Sequence, residues 1–250
     1  MKRGQVTIFI IIAIVIIGVA ATLFLINNKT LMRRITLPPE SYNIYSFTEQ
    51  CIKDIGESGA YLLAAKGGYI DSFNNTLDTE EVQMAYHMRY DDNSIMPDEN
   101  FMENELSKFV ADSLKGCILT YSNLGSYQPE FGKIDVKSSI LDGKINFQVN
   151  YPITISIEES KTLISDFNAD VPIRLGHLID IKNDILDNIR ESGGISLDLL
   201  SSYDAEINIL PYNQENVIYA IYDSKSGSEG VPFFFNFALQ IKSESSEGNE

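Results

Sequence analysis

The sequence predicts an α+β fold: an N-terminal transmembrane helix followed by an antiparallel β-sheet domain, covered by about three helices on one face. Three observations carry this expectation. Val6 to Ile26 is an apolar run without a charge. Ile145, Phe147, Val149, Tyr151, Ile153, Ile155 and Ile157 alternate with polar residues or proline, the period of a strand with one buried face. Leu178, Ile181, Ile185, Leu186 and Ile189 recur at helical spacing, the stripe a helix needs to lie on such a sheet.

Residues 1–5 form a basic N-terminal segment with Lys2 and Arg3. The apolar run at 6–26 makes a helix of roughly 31 Å, close to the hydrocarbon thickness of a bilayer. Its polar residues are Thr7 and Thr22, whose hydroxyls can bond back to their own helix. A buried soluble helix and a cleaved secretory signal with Gly18-Val19-Ala20 as its site are the alternatives. Leu23 to Ile26 continues the apolar run past that site, which a cleavage region does not do. Gly18 and Thr22 allow close contact with another membrane helix, so a homo- or hetero-oligomer through this segment is expected. Lys29, Arg33 and Arg34 on the far side balance Lys2 and Arg3, so flanking charge does not set the orientation. The long domain behind the helix favours export, with the C-terminal domain outside the cytoplasm.

Residues 27–45 read as a stalk or linker, because Pro38-Pro39 ends a helical continuation from the membrane. The domain proper spans 46–242, helical over 46–117 and sheet-rich over 131–242, and 243–250 is a disordered acidic tail without an apolar residue. Ser46-Phe47-Thr48-Glu49 has capping-box spacing and predicts a helix over 48–65, with Cys51, Ile55, Leu62 and Leu63 apolar and Gly67-Gly68 as its stop. Met84 to Tyr90 suggests a short strand. Asp98 after Pro97 predicts a second helix to Lys115, with Phe101, Leu106, Phe109, Val110 and Leu114 inward and Gly116 beyond its end.

Asp142-Gly143 predicts a hairpin turn between Ile134–Leu141 and the alternating strand, and Pro152 belongs to an edge or bend. A turn at Glu159-Ser160 leads to a strand over 161–173, with Leu163, Phe167, Val171 and Ile173 on one side. The third helix spans Leu175 to Ile189 and ends at Gly193-Gly194. Strands at 205–211, 216–223 and 231–241 complete the fold; Phe233-Phe234-Phe235 puts an aromatic on both faces of the last, which suits a central strand.

The first acidic residue is Glu40, so residues 40–250 hold all 35 acidic residues against 14 basic ones, a formal charge of −21. This excludes nucleic acid as a partner, since phosphate binding needs a basic surface. The partner expected is the lipid bilayer, through residues 6–26. Cys51 and Cys117 are the two cysteines: in an exported chain they form one disulfide across about 66 residues, and otherwise they are buried free thiols. Asn74 is a candidate N-glycosylation acceptor in Asn74-Asn75-Thr76, whereas the Asn28 sequon abuts the membrane.

No chemistry emerges from the motifs, so no enzyme activity, cofactor or metal site is expected. His87 reads as facing water from a strand, and His177 as locally bonded near Asp180. Ser58 lacks the glycine spacing of a nucleophile elbow. Asp91-Asp92-Asn93 with Asp98-Glu99 fails the calcium-loop pattern at Ile95 and Met96.

Lys2-Arg3-Gly4-Gln5 followed by an uninterrupted apolar helix resembles the class III signal of type IV pilins, with archaeal pilins and tight-adherence pseudopilins nearest in character. The resemblance covers about a tenth of the chain. It implies cytoplasmic cleavage by a membrane peptidase after Gly4, leaving Gln5 as the new N-terminus. Phe9 stands where many pilins carry a glutamate at the fifth mature position. A plain signal-anchor is the other reading of the same residues. The expected function is a single-pass membrane-anchored surface protein with a structural or adhesive role, in the form of a pilin-like subunit. A membrane-tethered extracytoplasmic ligand-binding module is the alternative, and a membrane-bound hydrolase the third.

Overall fold

The computed structural model describes residues 39–90, 96–121, 124–157, 160–228 and 230–241. Among them no helix is long and apolar enough to cross a membrane, and the apolar run 6–26, Gly4 and Gln5 lie outside them. The chain divides between Ile44 and Tyr45, and the architecture below is that of the unit beginning at Tyr45.

The first helix, α1, spans Pro39–Ala65. It therefore starts inside the stretch expected as a stalk, and the expected capping box lies within it, with Thr48 and Glu49 buried. Proline at the first helical position forgoes only a donor that has no intrahelical partner, so Pro39 opens this helix rather than ending one. Its far end follows the sequence: Gly67 has φ 78° and the Gly68 N–H donates to the Leu63 carbonyl at 2.8 Å. Two glycines let α1 approach its neighbours. Gly56 faces the Phe147 ring and Gly59 faces Phe109. A Cβ at Gly56 would stand 2.5 Å from Phe147 Cε2, and Phe147 is fully buried. Gly56→Ala is therefore expected to lower stability by about 1–2 kcal/mol, overpacking outweighing the better helix propensity of alanine. An unchanged urea midpoint for that variant rejects this packing.

The strands form two sheets rather than one. The first has the order β1-β2-β9-β8-β7, from β1 (Thr76–Asp78), β2 (Gln83–Met88), β7 (Glu206–Pro211), β8 (Asn216–Ser228) and β9 (Val231–Gln240). It is mixed: β2 runs parallel to β9, with Tyr86 opposite Ala238, while the other pairs are antiparallel. The expectation of a purely antiparallel sheet is thus corrected. The chain between β2 and β9 contains two long helices and the whole second sheet, which is ample for the long connection that parallel pairing needs. The domain is α+β, with a mixed sheet and several helices.

The second sheet is an antiparallel meander. β5 (Ile145–Ile157) lies between β6 (Ser160–Val171) on one side and β4 (Asp135–Ile140) with the short β3 (Glu130–Phe131) on the other. Leu141 N–H bonds the Lys144 carbonyl at 2.9 Å across Asp142-Gly143, the turn read from sequence. One register shift alters β6. Asn150 pairs Asp166 but Ile153 pairs Ile164, so the ladder skips a residue next to Pro152, which has no N–H to contribute. As a result Phe167 and Ile164 both point inward, and Leu163, expected inward, is 62 % exposed.

Helix α2 (Glu99–Ile118) is capped by Asp98, whose carboxylate accepts the Phe101 N–H at 2.7 Å. It runs through Gly116 instead of stopping before it. Met102, Leu106, Val110, Leu114 and Ile118 are its buried residues, while Phe101 and Phe109 are half-buried rather than core. Glu103 and Ser107 bond the Ile140 and Ser138 backbones, tying α2 to β4. Helix α3 (Leu175–Ser192) ends at Gly193 with φ 73°. The short α4 (Leu197–Ser202), capped by Ser196, was not legible in the sequence. α1 bridges both sheets: Tyr45 stacks on Phe167 at 5.0 Å and Tyr61 meets Phe233 edge-on at 5.1 Å. β9 is central, with Phe233, Phe235 and Phe237 fully buried.

Candidate functional site

Cys51 and Cys117 are disulfide-bonded, with their Cα atoms 5.9 Å apart. Cys51 lies near the middle of α1 and Cys117 in the last turn of α2, so the bond joins two helices that also meet where Gly59 packs against Leu106 and Phe109. Asn74 is exposed, on a bend just ahead of β1. His177 Nδ1 lies 3.7 Å from the Asp142 carboxylate. Asp91-Asp92-Asn93 lies outside the described residues, and Asp98 is occupied as a helix cap. Among the described residues no group of three His, Cys, Asp or Glu is placed to hold a metal ion.

His87 corrects the sequence reading most sharply. It is completely buried on β2, and its ring lies 5.2 Å from that of Phe237 and 5.9 Å from that of Phe235. Nε2 donates to the Gly67 carbonyl at 2.7 Å, an acceptor that fixes this tautomer, and Nδ1 has no hydrogen-bond partner. Burial, and secondarily the nearby Lys182 charge, push its pKa down to about 3. Lys182 is itself only 2 % exposed on the inner arc of α3, and burial lowers its pKa to about 8. A partial sequence signal exists for Lys182: it stands four residues after Leu178 and three before Ile185, both on the apolar stripe. His87 acts as a pin between the end of α1 and the first sheet.

A charged network closes one end of the first sheet. Asp204 accepts from Lys225 Nζ at 2.6 Å and from Arg174 at 3.3 Å. Buried Asp223 accepts from Ser226 Oγ at 2.6 Å and the Lys225 N–H at 3.0 Å. The Lys225 bond, above all, holds the Asp204 carboxyl below its usual range. Beside it opens a cleft of about 390 Å³ lined by Asp204, Glu206, Asn208, Tyr222, Ser224 and Pro232. Asp204, Glu206, Asn208, Tyr222 and Ser224 give the cleft carboxylate, amide and hydroxyl groups suited to polar contact.

The margin of the same sheet is β7. Tyr212 N–H bonds the Asn216 carbonyl at 2.9 Å, and this register turns the backbone of Asn208 and Leu210 toward β8. Ile207 and Ile209 therefore direct their N–H and C=O groups away from the sheet. Leu210 is 52 % exposed, and Ile209 and Tyr212 are exposed as well. No known family model, curated protein or solved structure matches this chain.

Proposed function

We propose that this chain is a single-pass membrane-anchored surface protein with a structural role, assembling as a pilin-like subunit with its acidic domain outside the cytoplasm. The observation that carries the reading is Lys2-Arg3-Gly4-Gln5 followed by the uncharged run Val6–Ile26. Residues 6–26 hold the chain in the bilayer, and their small residues allow contact with neighbouring copies. The disulfide between Cys51 and Cys117 supports the orientation, because such bonds persist in oxidising compartments. A long helix that starts 12 residues after the apolar run and packs on antiparallel strands suits a subunit whose helix links membrane to domain. Mass spectrometry of the mature N-terminus tests it: a start at Gln5 is expected, and an intact Met1 or Lys2 removes the pilin-like assignment and leaves a plain anchor.

A membrane-tethered binding module is favoured by one observation, the cleft between Glu206 and Pro232. Its polar lining and its openness to solvent suit a weakly held polar ligand better than an apolar one.

A further inference from the structure

We infer that the cleft between β7, β8 and the start of β9 is a binding site for a neutral saccharide. The inference rests on the binding-module reading of that cleft and names its ligand class. It does not depend on how the N-terminus is processed.

Strand register decides what the cleft displays. Glu206 pairs Tyr222, Tyr222 pairs Phe234, and Asn208 pairs Ala220, so these residues stand in adjacent rows on one face of the first sheet. Ser224 follows Tyr222 on that face, and Pro232 precedes Phe234. The opposite face carries Ile221, Phe233 and Phe235, all fully buried. The same strands thus hold a core on one side and a polar trough on the other. Glu206, Asn208, Ser224 and Pro232 are exposed in that trough. Tyr222 is half-buried, and its ring leans on that of Phe234 at 6.1 Å. The cleft therefore has one propped aromatic wall among groups that donate and accept hydrogen bonds.

This lining narrows the ligand by chemistry. Asp204 and Glu206 repel an anion, as does the formal charge of −21 over residues 40–250. A cation gains little, because Asp204 already binds Lys225 and Arg174, and Arg174 Nη1 lies 3.5 Å from Asp223. With Glu206, three carboxylates thus face two basic side chains, close to local balance. An apolar ligand would leave the polar lining without partners. A neutral sugar ring fits what remains: its C–H face lies on the Tyr222 ring, and its rim of hydroxyls both donates and accepts. Asn208 Nδ2 bonds Glu206 Oε1 at 3.3 Å, which leaves the amide carbonyl and the other carboxylate oxygen for ligand hydroxyls. The Ser224 hydroxyl can serve in either sense. The volume of about 390 Å³ is at the small end of the range of roughly 300–1,000 Å³ for small-molecule sites. A short saccharide gripped from one side, with a Kd on the order of 1 mM, is the expected occupant.

The test uses the full chain in a polyoxyethylene detergent, which has no sugar headgroup. Saturation-transfer NMR reads binding of the methyl glycosides of glucose, galactose, mannose and N-acetylglucosamine and of their disaccharides. Arginine methyl ester and inorganic phosphate serve as cationic and anionic probes. Transfer to at least one neutral glycoside is expected, concentrated on the C–H groups of one ring face. Glu206→Ala and Asn208→Ala, at exposed positions the fold tolerates, should each weaken binding about three- to ten-fold. Tyr222→Leu, which keeps bulk and removes the ring, should weaken it about ten-fold. If the urea midpoint shows that Tyr222→Leu does not fold, the two exposed variants decide alone. Glycoside binding that the folded variants leave unchanged overturns the inference. Capture of arginine methyl ester or phosphate without any glycoside also overturns it, but keeps a binding module if Glu206→Ala abolishes that capture. Silence from every probe overturns the inference and removes the binding-module reading as well.

Discussion

Between pH 6.5 and pH 3 the buried His87 is expected to withdraw on the order of 5 kcal/mol from the stability of the domain. The unfolded imidazole titrates near 6.5, while burial among Phe235, Phe237 and the Gly67 carbonyl, with the Lys182 charge nearby, holds the folded one at about 3. A depressed folded pKa means that the unfolded chain binds the proton first. The stabilisation is therefore whole above pH 6.5, falls as pH drops, and is exhausted at the folded pKa; the gap of about 3.5 units is worth roughly 5 kcal/mol. That is comparable with the whole stability of an ordinary domain. His87→Gln keeps an N–H for Gly67 and removes the titration. Urea unfolding of both proteins in detergent at several pH values isolates the effect, because the many carboxylates contribute alike to each. Wild type should lose stability relative to the variant as pH falls from 6.5. Parallel curves would show an imidazole that is not buried as described.

Removing the disulfide has the next largest effect. Cys51 and Cys117 are separated by 66 residues, and closing a loop of that length restrains the unfolded chain by roughly 4 kcal/mol. The double variant Cys51→Ala, Cys117→Ala is expected to unfold with a midpoint about 1–3 M lower in urea, given ordinary denaturant slopes. Each single variant should match the double one, since either loss opens the same loop. A reductant should reproduce the shift in wild type and leave the double variant unmoved. Alkylation of both thiols without prior reduction, together with an unshifted midpoint, would dismiss the bond.

The elements legible in the sequence are those whose signal is local. Asp98, Asp142-Gly143 and Gly193 each act within a few residues, as cap, turn and stop, and they stand where their chemistry places them. The alternation of Ile145 to Ile155 appears intact as the buried face of β5, because a period of two survives whatever lies across the sheet. Readings failed where a local rule has two outcomes. Pro39 suits both the end of one helix and the start of another, and Gly116 is tolerated inside α2. The cost of a helical glycine is about 1 kcal/mol, less than the burial of Ile118 in the turn that follows.

By itself the sequence determined the class, the anchor expectation, the acidic charge and the order of the longer elements, since these depend on composition and on contacts between near neighbours. The partition of strands into two sheets, the parallel pairing of β2 with β9 and the inversion of Leu163 with Ile164 were decided by tertiary structure. So were the burial of His87 and Lys182 and the open edge at β7. Each depends on which surface lies opposite, and partners separated by 150 residues leave no periodicity behind. A histidine on a strand and an isoleucine in a margin read alike whether covered or bare, and only the packed neighbours assign them an inside or an edge.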